Sequence, residues 1–184
     1  MSRANWPTAV AKSSSPQAAT ALTNTAEALA SVWAPTLRLG TAIVPAYTRG
    51  PACLTQQVAS MAAAAPGRFV FGIGTSSDVI VEKWNGLEFD EPYRRTRDTV
   101  RFLRSALTGE KTSGEFEGFS SNGFRLGVPV PGGSVPILVA ALREGMLRLA
   151  GREADGAIVN WLSAEDVARV APIVKAFGPD KEVV

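Results

Sequence analysis

Histidine is missing from all 184 residues, and cysteine occurs once, at Cys53. Without histidine there is no Ser-His-Asp triad, none of the usual zinc-ligand patterns and no imidazole base. Any chemistry must run on a cofactor, on carboxylates, or on hydroxyl and backbone dipoles. A single cysteine excludes an internal disulfide framework and fits a reducing cytosol, so a cytoplasmic location is expected. Cys53 falls in an apolar helical pattern and reads as buried and inert rather than reactive. No apolar run approaches the roughly 18 residues of a membrane span. The N-terminus is charged at Arg3 but has no apolar stretch of signal-peptide length, so no secretion signal is expected. Charge of one sign is also scarce. The 19 Lys and Arg and 17 Asp and Glu are interspersed and leave +2, which makes no case for nucleic acid or an acidic membrane surface. There is no P-loop, and Gly72-Ile73-Gly74 runs into Thr75-Ser76-Ser77 without the third glycine of a dinucleotide fingerprint.

What is present is ordinary globular material: 46% hydrophobic and 20% charged residues, enough for one domain with a real core. Residues 1–15 are small, polar and aperiodic, and read as a disordered or loosely packed tail. Residues 16–32 can form an Ala-rich helix opened by Pro16 and ended by Trp33-Ala34-Pro35.

The organising stretch is Arg68–Gly86, RFVFGIGTSSDVIVEKWNG. Its continuous apolar start suggests a strand buried on both faces, as parallel sheets require. The glycines and hydroxyls that follow fall at the strand's C-terminal end, where ligands bind in parallel α/β folds.

Other strands are expected at Leu37–Val44, Pro136–Ala141 and Ala157–Leu162, and the final KEVV can begin one more. Helices are expected at Thr48–Ala65, with Leu54, Val58, Met61 and Ala62 inward and Gly67 as a cap, and at Glu144–Glu153. Another starts at Ser163, capped with Asp166, and is kinked or broken at Pro172. The clearest amphipathic pattern is Tyr93–Leu107, with Tyr93, Thr96, Val100, Leu103 and Leu107 on one side. Its other face carries Arg94, Arg95, Arg97, Asp98, Arg101 and Arg104 and reads as solvated, with phosphate binding the alternative. Residues 112–128 interrupt the βα rhythm as a β-hairpin with its tip at Ser121-Asn122-Gly123. Four βα units with one hairpin inserted imply an α/β fold with a parallel sheet and right-handed crossovers.

In this order, LRLGTAIVPAYTRGP, GRFVFGIGTSSDVIVEKWNG, YRRTRDTVRFLRSALTGE, the GEFEG…GFRL hairpin, PILVAAL…MLRLAG and ADGAIVNWLSAEDV resemble the luciferase-like monooxygenase superfamily. The branch they are most similar to is its deazaflavin (coenzyme F420) oxidoreductases. The resemblance covers roughly residues 37–175. It implies a (β/α)8 TIM barrel with the coenzyme at the C-terminal ends of the strands. Leu37–Val44 would be the third barrel strand, and the next three would follow it. A complete barrel takes about 250 residues, so the chain is expected to be a partial barrel, residues 16–184, cut from the middle of the fold. Its open edges would call for a partner, such as a homo-oligomer.

The resemblance also implies a coenzyme site. Thr41, Ala42 and Ile43 would line the ring, with a bulge and a non-prolyl cis peptide at Ala42–Ile43; an ordinary trans strand end is the alternative. Thr75, Ser76 and Ser77 would bond a ring edge or the polar tail, against plain turn and capping chemistry. Ala141, Leu142 and Arg143 would form the phosphate site, where relatives carry Gly-Pro in place of Arg143-Glu144 and where Glu144 would repel the anion. Asn160 would bond the phosphate or ribityl chain, and Trp161 would wall the pocket, with core packing the alternative. Glu82, Asp90 and Glu91 lie nearby without an assigned catalytic role, and no metal is expected. The activity implied is hydride transfer between reduced F420 and a small organic substrate. An FMN-dependent monooxygenase and a catalytically inactive barrel fragment serving as an interaction module are the alternatives.

Overall fold

The computed structural model describes residues 28–132 and 134–184. The tail expected over 1–15 and most of the first helix lie outside the described residues; residues 28–33 are helical. The elements then run in chain order. They are β1 (Leu39–Gly40), β2 (Val44–Pro45), α1 (Pro51–Ala64), β3 (Phe69–Gly74), a π-helical turn (Val79–Lys83) and α2 (Pro92–Ala106). After these come β4 (Thr112–Phe116), β5 (Phe119–Phe124), β6 (Ile137–Ala140), α3 (Glu144–Glu153), β7 (Gly156–Ile158), α4 (Ala164–Lys175) and β8 (Glu182–Val183).

One parallel sheet runs β1-β3-β6-β7-β8, with β2 also beside β3, and β4 and β5 pair separately as an antiparallel hairpin. The sheet is curled. Flat, five strands at about 4.8 Å spacing would put its edges roughly 19 Å apart. Instead Arg38, just before β1, reaches Glu182 in β8 with two bonds of 2.7 and 2.8 Å. This is a half-barrel in an α/β chain. Its core is on the helix side, where Phe69, Phe71, Ile73, Ile137, Val139 and Ala157 pack with Leu54, Val58, Val100, Leu103, Leu147 and Leu149. Continuous apolar strands were legible for this reason: both faces are buried, and β3 is buried at all six positions.

Several expectations are corrected. Leu37–Val44 is two short strands split by a bulge, not one. Cys53 is exposed, because α1 turns Leu54, Thr55, Val58, Ala59, Met61 and Ala62 inward and leaves position 53 outside that stripe. The α1 C-cap is Ala65; Gly67 sits in the turn beyond, at φ 70°. The hairpin tip is at Glu117-Gly118 rather than Ser121–Gly123, since Phe116 pairs with Phe119. An aromatic stack decides this register: Phe116 and Phe119 lie 4.6 Å apart and both pack edge-on against the buried Phe102. Of the kink or break expected at Pro172, the break is excluded, since helix α4 continues through it to Lys175. Ser163 caps it by accepting the Asp166 N–H at 3.2 Å, as expected.

The arginine face of α2 is solvated at Arg94 and Arg101, as expected, and it also docks neighbouring elements. Arg94 and Arg97 reach Glu117 at the hairpin tip, Arg101 reaches Glu153 at 2.8 Å, and Arg104 reaches Asp155 at 2.6 Å. Asp98 is buried, accepts from Arg97 at 2.7 Å and takes the Glu117 N–H at 3.0 Å. Burial alone would push its carboxyl up, but these bonds outweigh burial and hold it below the usual Asp value. With its arginines committed to neighbouring elements, this face gives the phosphate alternative no support.

Candidate active site

The bulge after β1 can be counted from the register. Leu39 pairs with Phe69 and Gly40 with Val70, whereas Val44 pairs with Ile73 and Pro45 with Gly74. Four steps on one strand match three on the other, so one residue is extra. The peptide bond between Ala42 and Ile43 is cis, as the resemblance implied and against the trans alternative. Where the backbone leaves the ladder, the Thr41 side chain replaces it. Its hydroxyl accepts the Gly72 N–H and donates to the Gly72 carbonyl, both at 2.8 Å. One buried hydroxyl thus satisfies two buried backbone groups of β3. The ladder then resumes with Ala46 N–H to the Gly74 carbonyl at 2.9 Å.

Gly72 is obligatory here, since a Cβ would sit 2.0 Å from the Thr41 carbonyl oxygen. At Gly74 a Cβ would meet Ala140 Cβ at 2.9 Å and Ile43 Cδ1 at 3.1 Å.

The other implicated residues follow the C-terminal ends of three neighbouring strands. Thr75, Ser76 and Ser77 follow β3 and are half-buried. Ser76 is in the left-handed region at φ 67°. Ser77 caps the π-helical turn, its hydroxyl accepting from Ile80 N–H at 3.4 Å and its carbonyl from Val81 N–H at 2.9 Å. Thr75 Oγ1 donates to the Ser76 carbonyl at 3.2 Å. The capping alternative therefore holds for Ser77, while Ser76 Oγ has no partner among the described residues.

Ala141, Leu142 and Arg143 follow β6. Ala141 is buried, Leu142 and Arg143 are exposed, and Arg143 is the N-cap of α3 with no side-chain cap of its own. Glu144 is turned along the helix, where it accepts two bonds from Arg148 at 2.9 and 2.7 Å. The helix N-terminus is thus less hostile to an anion than the bare sequence suggested. Asn160 and Trp161 follow β7 and are exposed. Trp161 is 94% exposed at φ 62°, which excludes the core-packing alternative. All eleven implicated residues therefore lie at one end of four adjacent strands.

A cleft of about 400 Å³ lies elsewhere. Tyr47, Leu87, Glu88, Asp90, Glu91, Arg94, Arg95, Glu117 and Gly118 line it, and none of the eleven does. Arg95 knits it together: its guanidinium donates to the Ala46 and Gly118 carbonyls and lies over the Tyr47 and Phe119 rings. Burial pushes the Tyr47 phenol up to about 12 despite the nearby Arg95 charge. The phenol therefore stays protonated at neutral pH and donates to the Asp90 carbonyl. Glu91 pairs with Arg94, and Glu82 accepts from Phe89 N–H at 3.4 Å.

The arrangement is a half-barrel with a one-residue bulge after its first strand and its polar loops gathered at the C-terminal mouth. A family model described as luciferase-like monooxygenase matches residues 8–182.

The chain belongs to the luciferase-like monooxygenase family.

Among its relatives is an F420-dependent glucose-6-phosphate dehydrogenase of Rhodococcus hoagii (strain 103S). It is 34% identical over 146 residues, which are 76% of this chain and 43% of that protein. A 5,10-methylenetetrahydromethanopterin reductase of Methanolobus tindarius is 27% identical over 152 residues, 80% of this chain and 46% of that protein. The coenzyme F420 dependent tetrahydromethanopterin reductase of Methanopyrus kandleri superposes with a TM-score of 0.72 at 23% identity, covering 84% of this chain and 48% of that one. That last likeness bears on the fold alone. This luciferase-like chain spans less than half the length of the curated relatives it matches.

The residues at the mouth fit a flat coenzyme with a phosphate tail. Ile43, Ala140 and Ile158 are apolar and half-buried there, and the loops add hydroxyls and an open helix N-terminus. Sequence reasoning missed Ile158 and the glycine steps beneath it; the signal available was Gly72 and Gly74 alternating on one face of β3.

Proposed function

We propose that the chain is the central part of an F420-dependent oxidoreductase that moves hydride between the reduced deazaflavin and a small organic substrate. The observation that carries this reading is the gathering of Thr41–Ile43, Thr75–Ser77, Ala141–Arg143 and Asn160–Trp161 at one sheet end. The named activities of the sequence relatives support it. When bound, the deazaflavin supplies the hydride chemistry. The chain's own residues bind and orient. Thr41 holds the bulge in place, and Ile43 offers an apolar surface. The Ser76 hydroxyl, without a partner among the described residues, suits a polar edge. The N-terminus of α3 with Arg143 and Asn160 provides donors for a phosphate. No carboxylate is given an acid–base role.

The reading carries with it a cytoplasmic location, no nucleic-acid partner, one domain over 16–184 and a homo-oligomer. The interspersed charge, the lone cysteine and the open sheet edges support these. Among the described residues no helix is long and apolar enough to cross a membrane.

The test is to titrate the purified chain with F420 and with FMN, following ligand fluorescence and melting temperature. F420 alone should bind and raise the melting temperature. FMN binding alone would select the monooxygenase alternative, and no response to either at saturation would leave the inactive-module reading.

A further inference from the structure

The inner face of the half-barrel is built in layers. Strand register puts Gly72, Leu138 and Gly156 on one level, and Gly74, Ala140 and Ile158 on the next level toward the mouth. Leu138 is buried, whereas Ala140 and Ile158 are only half-buried, so the upper layer is the one a ligand can touch. Side chains from either side lie across the bare glycines of β3, one from the bulge beside it and one from β7, two strands away. Ile158 Cδ1 comes within 2.6 Å of where a Gly72 Cβ would stand, and Ile43 Cδ1 within 3.1 Å of the same point at Gly74. Two isoleucines, one from each side, thus lean over β3 and close the half-barrel just below Thr75–Ser77.

We infer that Ile158 is a coenzyme-contact residue, forming with Ile43 and Ala140 the apolar floor on which a flat tricyclic ring rests. Gly72 sets the depth of that floor. The inference rests on the coenzyme reading above and adds to it a residue that the resemblance did not implicate. The physical case is complementarity. A flat ring gains most from a continuous apolar surface at van der Waals contact. Ile43, Ala140 and Ile158 are all half-buried apolar side chains grouped around Gly72 and Gly74. A Cβ on Gly72 would contest the space of Ile158, so the glycine and the isoleucine specify one surface together.

The test compares the wild-type chain with Ile158→Val, Ile158→Phe and the core control Leu149→Ala, using F420 and FMN as probes. Dissociation constants, the absorption band of the bound ring and the ligand-free melting temperature are recorded for each. Ile158→Val removes one methylene from the floor and should weaken ring binding about fourfold. Ile158→Phe should raise the floor into the slot, weaken binding by more than about a hundredfold and shift the band of any ring still bound. Leu149→Ala should lower the melting temperature while leaving the dissociation constant and band unchanged. The inference is overturned if wild type binds a ring and both Ile158 variants bind it with wild-type affinity and spectrum. It is equally overturned if their losses merely follow melting temperature as the control's do. If wild type binds neither probe, the coenzyme reading itself fails and the floor falls with it, a result distinct from unchanged variants.

Discussion

On its outer face the parallel sheet presents Phe69, Phe71, Ile73, Ile137 and Val139 to the helices. On its inner face the same strands carry Val70, Gly72, Gly74, Leu138 and Ala140. The outer set is large and is buried by α1, α2 and α3. The inner set shrinks toward the mouth, ending in Gly74 and Ala140. The difference separates two jobs. Bulk on the outer face supplies the burial that holds the half-barrel together. Smallness on the inner face gives stability nothing directly; it makes room for Thr41, Ile43 and Ile158 to cross the strand. A core optimised for packing alone would not put two bare steps in its central strand.

Four measurements would break or sharpen that contrast. The largest effect is expected at Gly72→Ala. Its Cβ would fall 2.0 Å from a backbone oxygen, which no side-chain rotation relieves, so a loss of more than about 4 kcal/mol or no folded protein should appear in urea unfolding. A tolerated Gly72→Ala would show that the inner face is not closely fitted.

Phe102→Ala comes next. This fully buried ring anchors the hairpin through Phe116, Phe119 and Phe124, and its removal should cost about 4 kcal/mol by the same assay. Because it lies on the outer side, ring binding per folded molecule should stay at the wild-type value. A changed dissociation constant would mean that the two faces are coupled.

The third test uses pH. The folded-state value of Asp98 lies below its ordinary 3.8, so its stabilisation is complete above that value and fades as pH falls through the lower folded one. At pH 7, Asp98→Asn should lose about 2 kcal/mol. The gap between variant and wild type should narrow below pH 4, and a gap constant down to pH 2 would place the stabilisation outside the carboxylate.

The smallest effect is expected at Trp161→Ala. An indole 94% exposed contributes little to folding, so stability should change by less than about 0.5 kcal/mol. A larger drop in melting temperature would show that Trp161 is sheltered in solution.

Helix faces and buried strands were legible because their signals are local. The 3.6-residue stripe of α2 and the unbroken apolar run of β3 require nothing from distant chain. The bulge was legible only through resemblance, and the register count over Gly40–Val44 now gives it a physical basis. Elsewhere local signals misled. Ser121-Asn122-Gly123 has good turn chemistry, yet Phe102 draws Phe116 and Phe119 together and moves the tip to Glu117-Gly118. Asp98 has the composition of a surface residue, and only the docked hairpin buries it. Pro172 can break a helix, but α4 runs on to Lys175. Cys53 missed burial by its angle around α1.

The amino-acid sequence by itself determined the alternation of strands and helices and the parallel sheet, and its lack of histidine excluded imidazole chemistry. Tertiary structure decided which residues form the mouth. Ile43 and Ile158 are far apart along the chain, yet both lean over β3, Ile158 at Gly72 and Ile43 at Gly74, because parallel register stacks the strand ends together. Periodicity carries no information about such a meeting, since it depends on how strands far apart in sequence align, and that alignment is fixed by the packing of the whole sheet.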